Sequence, residues 1–534
     1  MSVFIGYPSF MAYQMMKGKK GNNDGFPSIP GMIARYSALG LTNEQMKENP
    51  VWVDKTGNGH DLQLKNFTWG GMSGAGGVST YYDKYEFTPD KYYMVAVSSG
   101  TQHAQFTFKV TGLVDGNTLS LADTSSPSNL YGKWTQDGIY TVDIDIINTD
   151  GSIYFYNGVS AIRGTFTIEI LPIYPGALVF DGVDDWAGCD NLPLLPKEKG
   201  YSIIALRNWI TRYDATQYKR PLISNLDTND EGAFLIEYRK DENVNDVTGS
   251  YNSFTDVYID DNNPITWQTS SSYNGQIIKK GTSKSTNKLC ICKTYFGRLS
   301  NYANAAIWET VILDHDATEE ELTKIKDYFV KTYPWLFPDQ AWTVTGKTNE
   351  DEDRATIANI TGNGNDLVLS NFGFAEGSGY NKEGEYAGYL VTDGVDDKIT
   401  SSIFGMGNDW TVIGDWELIN TGKKDNAGIV KFDSIVIYNY NPILINIKNG
   451  RNNLILDQNA VNAICSDGRI YSKDWKESIY NEETESTSKN FLTIGYSGNS
   501  YTKIAFKNLA IYPTVLSKED CIKAYNYLQT LKAK

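Results

Sequence analysis

A twelve-residue phrase occurs twice in this chain, and it constrains the fold more than any other feature. Thr56-Gly-Asn-Gly-His-Asp-Leu-Gln-Leu-Lys-Asn-Phe67 recurs as Thr361-Gly-Asn-Gly-Asn-Asp-Leu-Val-Leu-Ser-Asn-Phe372. Gly40-Leu-Thr-Asn-Glu44 precedes the first phrase, and Gly346-Lys-Thr-Asn-Glu350 precedes the second. Downstream, Leu178-Val-Phe-Asp-Gly-Val-Asp-Asp185 returns as Leu390-Val-Thr-Asp-Gly-Val-Asp-Asp397. Each copy closes on an apolar strand, Ala306 to Leu313 or Ala505 to Tyr512, followed by Thr318-Glu-Glu-Glu321 or Ser517-Lys-Glu-Asp520. Landmarks repeated in one order imply a duplicated structural unit.

The closing segments carry a hydroxyl residue with an acid three positions later, the pattern that caps a helix start. A short amphipathic helix is expected after each, burying Leu322, Ile325 and Phe329 in the first copy and Cys521, Tyr525 and Leu528 in the second. Elsewhere short alternating apolar runs separated by Gly, Asn and Asp read as strands: Ile203 to Leu206, Ala233 to Tyr238, Thr411 to Ile413, Ser434 to Tyr438, Ile443 to Ile447 and Phe491 to Ile494. Such a pattern over about 200 residues suits a β-sandwich.

The copies differ in length at one place. Asp61 and Asp181 are 120 positions apart, whereas Asp366 and Asp393 are 27 apart, so the first copy carries about 93 extra residues. These have their own alternation, at Phe106, Phe108 and Val110, at Tyr140, Val142, Ile144 and Ile146, and at Phe166, Ile168 and Ile170. They read as a small β-sandwich set into a loop. The expected organisation is a tail at 1–30, a first sandwich at 31–81 and 176–335, an inserted domain at 82–175, a linker at 336–340 and a second sandwich at 341–534.

Charge narrows the partners. With 48 Lys and Arg against 64 Asp and Glu, the 534 residues carry a formal net charge of −16, which repels a phosphate backbone and argues against nucleic acid. The five cysteines, Cys189, Cys290, Cys292, Cys465 and Cys521, are odd in number and include no C-x-x-C pair, so neither a zinc cage nor a disulfide framework is expected. The opening residues lack a basic leading segment, and no apolar run reaches the roughly 18 residues that span a bilayer. The expectation is a chain made in the cytoplasm with no membrane partner.

On the repeated Thr-Gly-Asn-Gly phrase, the Leu-Val-(Phe/Thr)-Asp-Gly-Val-Asp-Asp turn and the capped closing helix, the chain resembles the concanavalin A-like, laminin G-like jelly-roll family. The resemblance covers residues 31–335 less the insertion, and 341–534. It implies an all-β fold of two such sandwiches, the first interrupted by the insertion, in a family of lectins, carbohydrate-binding modules, adhesins and structural domains. In tandem, the copies also resemble virion proteins of phages infecting Bacteroides-type hosts, including crAss-like phages. That likeness implies a head-fibre, capsid-decoration or tail-fibre protein located on the virion, assembled as a homotrimer, with glycans among its partners. A bacterial surface lectin or carbohydrate-binding module is the alternative, and a glycoside hydrolase the third reading.

Several residues are candidate sites. Asp181, Asp184 and Asp185, and their counterparts Asp393, Asp396 and Asp397, could supply the carboxylate oxygens a calcium ion wants; the competing reading is a strand-ending turn, glycine supplying positive φ and aspartate capping the backbone. No other cofactor is expected. Trp186 beside Asp184 and Asp185 could form a sugar platform or could simply pack, and Lys398 stands in its place in the second copy. Tyr81, Tyr82 and Tyr85, or Tyr438 and Tyr440, could be subunit contacts. Thr-Gly-Asn-Gly lacks the Lys-Ser/Thr of a phosphate loop and reads as a turn. The Glu-x-Asp-x-x-Glu strand of jelly-roll glucanases is missing, and His60, His103 and His315 do not recur between copies, so no catalytic set is expected. Residues 1–30 mix aromatic and Met residues with a basic cluster, and read as a segment that docks onto other virion proteins.

Overall fold

The computed structural model describes Asp24 to Ala533 apart from residues 68, 70–83, 89–93, 99–102, 115–116, 124–128, 146–152, 158–163, 196–199, 211–219, 227–234, 239–275, 282–285, 298–300, 403, 406, 420–427, 433–434, 440–442, 448–451, 457–459, 474, 480–491 and 498–499. Its strands form antiparallel sheets with a few short helices, so the all-β expectation holds. The chain divides into two compact units, one built from Met1–Trp69 with Gly176–Thr332 and the other from Gly70–Pro175 with Tyr333–Lys534.

In the first unit, strand Asn304–Leu313 lies between Met32–Ser37 and Tyr201–Trp209, and also pairs with Leu178–Asp181. A second sheet runs Leu235–Tyr238, Arg220–Ser224, Leu289–Ile291, Trp186–Cys189, Leu62–Lys65, Val51–Trp52. Alternation is visible in Leu62–Lys65, whose leucines are buried and whose polar residues are exposed. The closing strand departs from it, with Ala305 through Leu313 all buried. A strand covered on both faces has no polar side, so its sequence reads as a continuous apolar run.

The second unit repeats the plan. Ile504–Tyr512 pairs with Gln340–Thr343, Leu390–Val391 and Thr411–Leu418, and the opposing sheet brings Leu367–Ser370, Lys398–Ser401 and Leu492–Ile494 together. One core joins the two sheets through Trp342, Leu367, Ile399, Leu492, Phe506 and Leu509. The helix Lys518–Leu528 packs on the outer side of Thr411–Leu418 and Ile504–Tyr512, which explains why the latter is buried on both faces.

Both helix caps form as the spacing predicts. Thr318 Oγ1 accepts from Glu321 N while Glu321 Oε2 accepts from Thr318 N, and Ser517 Oγ accepts from Asp520 N. Leu322, Ile325 and Phe329, and Cys521, Tyr525 and Leu528, are the buried faces. Pro334–Leu336, whose last residue opens the linker expected at 336–340, is a short 3-10 turn whose buried Trp335 accepts from Tyr512 Oη through its carbonyl.

Between Lys84 and Leu171 the chain forms two four-stranded sheets over a core of Phe106, Phe108, Val110, Leu121, Phe155 and Ile168. Although the insertion interrupts the first copy in sequence, it belongs to the second unit. Thr107 Oγ1 donates to Asn526 Oδ1 at 2.8 Å across a sequence separation of 419 residues, and the Tyr174 ring meets Tyr527 edge-on at 6.4 Å. Residues 1–23 lie outside the described residues, while Asp24 and Phe26 fold against the first unit: Asp24 pairs with buried Arg35, and Phe26 covers the Arg35 guanidinium at 3.9 Å.

Candidate functional site

The two repeated phrases meet in space, and they do so identically in both copies. Asp54 opens the first framework: its Oδ1 accepts from the backbone N–H groups of Arg35 and Thr56, and its own N–H donates to Asp61 Oδ1 at 2.9 Å. Asn359 does the same for Ala341, Thr361 and Asp366. Asn58 Nδ2 donates to the Ile33 carbonyl, and Asn363 Nδ2 to that of Asp339. Tyr36 Oη donates to the carbonyl of His60; Trp342, at the equivalent strand position, donates through Nε1 to the carbonyl of Asn365. Gly57 and Gly59, with Gly362 and Gly364, hold φ between +73 and +84, the left-handed region glycine enters at least cost. The Thr-Gly-Asn-Gly phrase is therefore a turn that ties two strands together.

A residue not singled out from sequence links this turn to the acidic one. Asn66 and Asn371 sit at φ 70 and 71, and their Nδ2 groups donate to the carbonyls of Asp184 and Asp396. The signal was present: the Asn-Phe that ends each copy of the phrase repeats where its neighbours vary.

Asp181, Asp184 and Asp185 come together, as do Asp393, Asp396 and Asp397, each trio offering oxygens within 4.8 Å of one another. Their hydrogen bonds build the turn. Asp181 Oδ1 accepts from the N–H groups of Val183, Asp184 and Asp185 at 2.8, 3.2 and 3.3 Å, and Asp185 Oδ2 accepts from Asp181 N. Asp393 and Asp397 repeat all four bonds. One oxygen of each final carboxyl, Asp185 Oδ1 and Asp397 Oδ1, is buried without a hydrogen bond. Burial, with the Asp181 and Asp184 carboxylates nearby, pushes the Asp185 carboxyl up to about 7. Asp397 is also raised, chiefly by burial, partly offset by the Asp393 N–H and the nearby Ser378 hydroxyl. As a calcium donor set, the trio has Asp181 Oδ1 and Asp185 Oδ2 already committed to backbone N–H groups, against the six to eight oxygens the ion takes.

Trp186 is half-buried rather than open. Its ring carries Lys293 Nζ at 4.0 Å from the centroid and meets Phe296 edge-on at 5.6 Å. In the second copy, Lys398 replaces Trp186 and Tyr496 replaces Lys293, with Lys398 Nζ 5.8 Å from the Tyr496 ring. The cation and the aromatic have exchanged strands and kept their contact. Of the tyrosines, Tyr85 is partly buried on the insertion core, the side chain of Tyr438 is not described, and Tyr81, Tyr82 and Tyr440 lie outside the described residues.

Among the described residues no histidine joins a cluster of metal-ligating groups. His60 lends its backbone to the first turn, His315 bridges Asp314 Oδ1 at 3.0 Å and Glu321 Oε1 at 3.1 Å, and the His103 side chain lies outside the described residues. Burial alone would lower the His315 pKa, but its bonds to Asp314 and Glu321 outweigh this and raise it.

No family model and no curated protein matches the chain. Among solved structures it is similar to a Trypanosoma rangeli sialidase in complex with sialic acid, at 9% identity and a TM-score of 0.27, over 43% of this chain and 42% of that one. It is also similar to the receptor-binding domain of botulinum neurotoxin mosaic serotype C/D, at 13% identity and a TM-score of 0.26, over 35% of this chain and 50% of the other. The binding domain of botulinum neurotoxin serotype D gives 13% identity and a TM-score of 0.26 over 35% and 51%. The chain thus spans about half or less of each, and likenesses this distant do not bear on activity or ligand.

Proposed function

We propose that this chain is a non-catalytic display protein that adheres to glycans, carried on a bacteriophage particle as a head-fibre, decoration or tail-fibre component and assembled as a homotrimer. The observation that carries the adhesive reading is the duplicated framework: Asp61, Asp181, Asn58 and Asn66, and their counterparts Asp366, Asp393, Asn363 and Asn371, are spent on backbone N–H and carbonyl groups in both copies, so the framework positions loops rather than reacting groups. Rigid sandwiches with variable rims suit contact, and weak contacts multiply when subunits assemble. In the first copy, exposed Asp184 at the end of the acidic turn is the accessible member of the Trp186 trio. The particle setting rests on the tandem resemblance and includes docking to other virion proteins through residues 1–30. Calcium at the twin acidic turns belongs to the same proposal.

Incubating the full chain with a glycan array and with host capsule tests this reading. Retention on a subset of glycans without release of reducing ends is expected, and the chain is expected among the proteins of purified particles. Capsule hydrolysis abolished by one acidic substitution would overturn the non-catalytic reading, and an array without a retained glycan would overturn adhesion.

A further inference from the structure

Two cysteines that no sequence pattern joins meet in the second copy. Cys465 and Cys521 are 56 positions apart, the one ending strand Val461–Cys465 and the other in the first turn of the helix Lys518–Leu528. Strand register sets Cys465 opposite Thr411, whose hydroxyl accepts from Leu516 N at 2.9 Å and lies 3.8 Å from Cys465 Sγ. Cys521 Sγ faces the Leu516 carbonyl at 4.0 Å, and the two thiols are hydrogen-bonded to each other. The first copy keeps the hydroxyl, with Ser202 Oγ accepting from Ala317 N at 2.8 Å, but has Lys280 and Leu322 where the second copy has cysteines. The pair is an addition to the shared framework.

The surroundings make the two sulfurs unequal. Both side chains are buried, and burial alone disfavours a thiolate. The Cys465 thiol is nevertheless held below the ordinary cysteine value, chiefly by the hydrogen bond from Cys521, with the Thr411 hydroxyl and the Arg469 guanidinium adding to it. Arg469 is fixed beside the pair by its bonds to the Leu516 carbonyl at 3.0 Å and to Tyr471 Oη at 3.1 Å. The same thiol contact, together with burial, raises Cys521, which keeps its proton. One sulfur is thus the nucleophile and its neighbour the thiol that resolves it. The other cysteines, Cys189, Cys290 and Cys292, all belong to the first copy.

We propose that Cys465 and Cys521 are a disulfide site, closed by a peroxide, that locks the closing helix of the second copy to its sheet. The Cys465 thiolate attacks the peroxide: a sulfur–oxygen bond forms, the oxygen–oxygen bond breaks, and hydroxide leaves to take up the proton that Cys465 had released. The Cys521 sulfur then attacks the sulfenic acid, and the sulfur–sulfur bond forms as the sulfur–oxygen bond breaks. The departing oxygen carries off the Cys521 proton as water. Two thiols are oxidised and one peroxide is reduced to two waters. A small oxidant reaches the pair through local opening of the helix, and the link, once closed, restricts the unfolded chain.

Treating the full chain with hydrogen peroxide tests the proposal. The thiols titrated under denaturing conditions are expected to fall from five to three, two being consumed, and dithiothreitol to restore all five. Peptide mapping is expected to show Cys465 joined to Cys521, and the thermal midpoint to rise by about 5 °C. In Cys521→Ser, dimedone is expected to trap a sulfenic acid at Cys465; in Cys465→Ser neither the link nor the trapped acid is expected. Five thiols after treatment, a link between other cysteines, or Cys465 oxidised to a sulfinic acid with Cys521 still free would overturn the proposal. The thiol count and the mapping need only the native chain, so they decide the matter whether or not a variant folds.

Discussion

Asp185 is pulled two ways: one carboxyl oxygen completes the acidic turn by accepting from Asp181 N, and the other is buried without a hydrogen bond next to two more carboxyl groups. A carboxyl whose folded pKa is about 7, above an unfolded value of roughly 3.9, favours the fold only while it keeps its proton, so stability falls as the pH rises from about 4 to 7. Asp185→Asn retains the accepting oxygen and removes the charge. It is expected to be more stable than the native chain by on the order of 1–3 kcal/mol at pH 8, with the difference vanishing near pH 4, as read by chemical unfolding across that range. The same variant examines the calcium proposal. If calcium binds at the twin turns, millimolar calcium stabilises the native chain more than Asp185→Asn, which keeps only the Asp393, Asp396 and Asp397 turn; equal stabilisation of both would contradict calcium at the first turn. The two aspartate trios were legible in the sequence because they repeat. The state of the final carboxyl was not, because burial of one oxygen depends on strands that pair far along the chain.

At the scale of the element, the closing helices were the most readable part of the chain. A cap and an amphipathic face are both local, set by residues three and four apart, and Thr318, Glu321, Ser517 and Asp520 take the positions their spacing predicts. His315 adds something spacing alone does not give, since it reaches Glu321 from outside the helix and joins the cap to Asp314. Its pKa is raised, so the charged ring contributes stability that is fully present below the unfolded value of roughly 6.5 and is lost as the pH rises through the folded pKa. His315→Gln is expected to lower the thermal midpoint at pH 5 by an amount corresponding to about 1 kcal/mol or less, and to match the native chain at pH 9. A difference independent of pH would show that the ring acts by packing alone. The strands were legible by alternation where one face meets solvent, as in Leu62–Lys65, and by apolar runs where both are covered, as in Ile504–Tyr512. Trp186 illustrates the limit: a tryptophan beside two acids reads as packing before platform from sequence, and neither the Lys293 ammonium on its ring nor the exchanged pair of Lys398 and Tyr496 in the other copy carries a signal in the sequence.

For the whole molecule, the duplication and the presence of an inserted sandwich followed from the order and spacing of landmarks. The unit to which the insertion belongs did not, because it is decided by contacts such as Thr107 with Asn526 that join distant parts of the sequence without any shared pattern. The resulting picture is one framework built twice, with the same turns tied by the same hydrogen bonds in both copies. The measurement that tests it most directly is chemical unfolding of Asn66→Gly and Asn371→Gly, which keep the left-handed backbone and remove the amide that ties the two turns of each copy. Each is expected to lower stability by about 1 kcal/mol. A loss in one copy with none in the other would contradict the account, since the amides would then not be equivalent parts of one repeated framework.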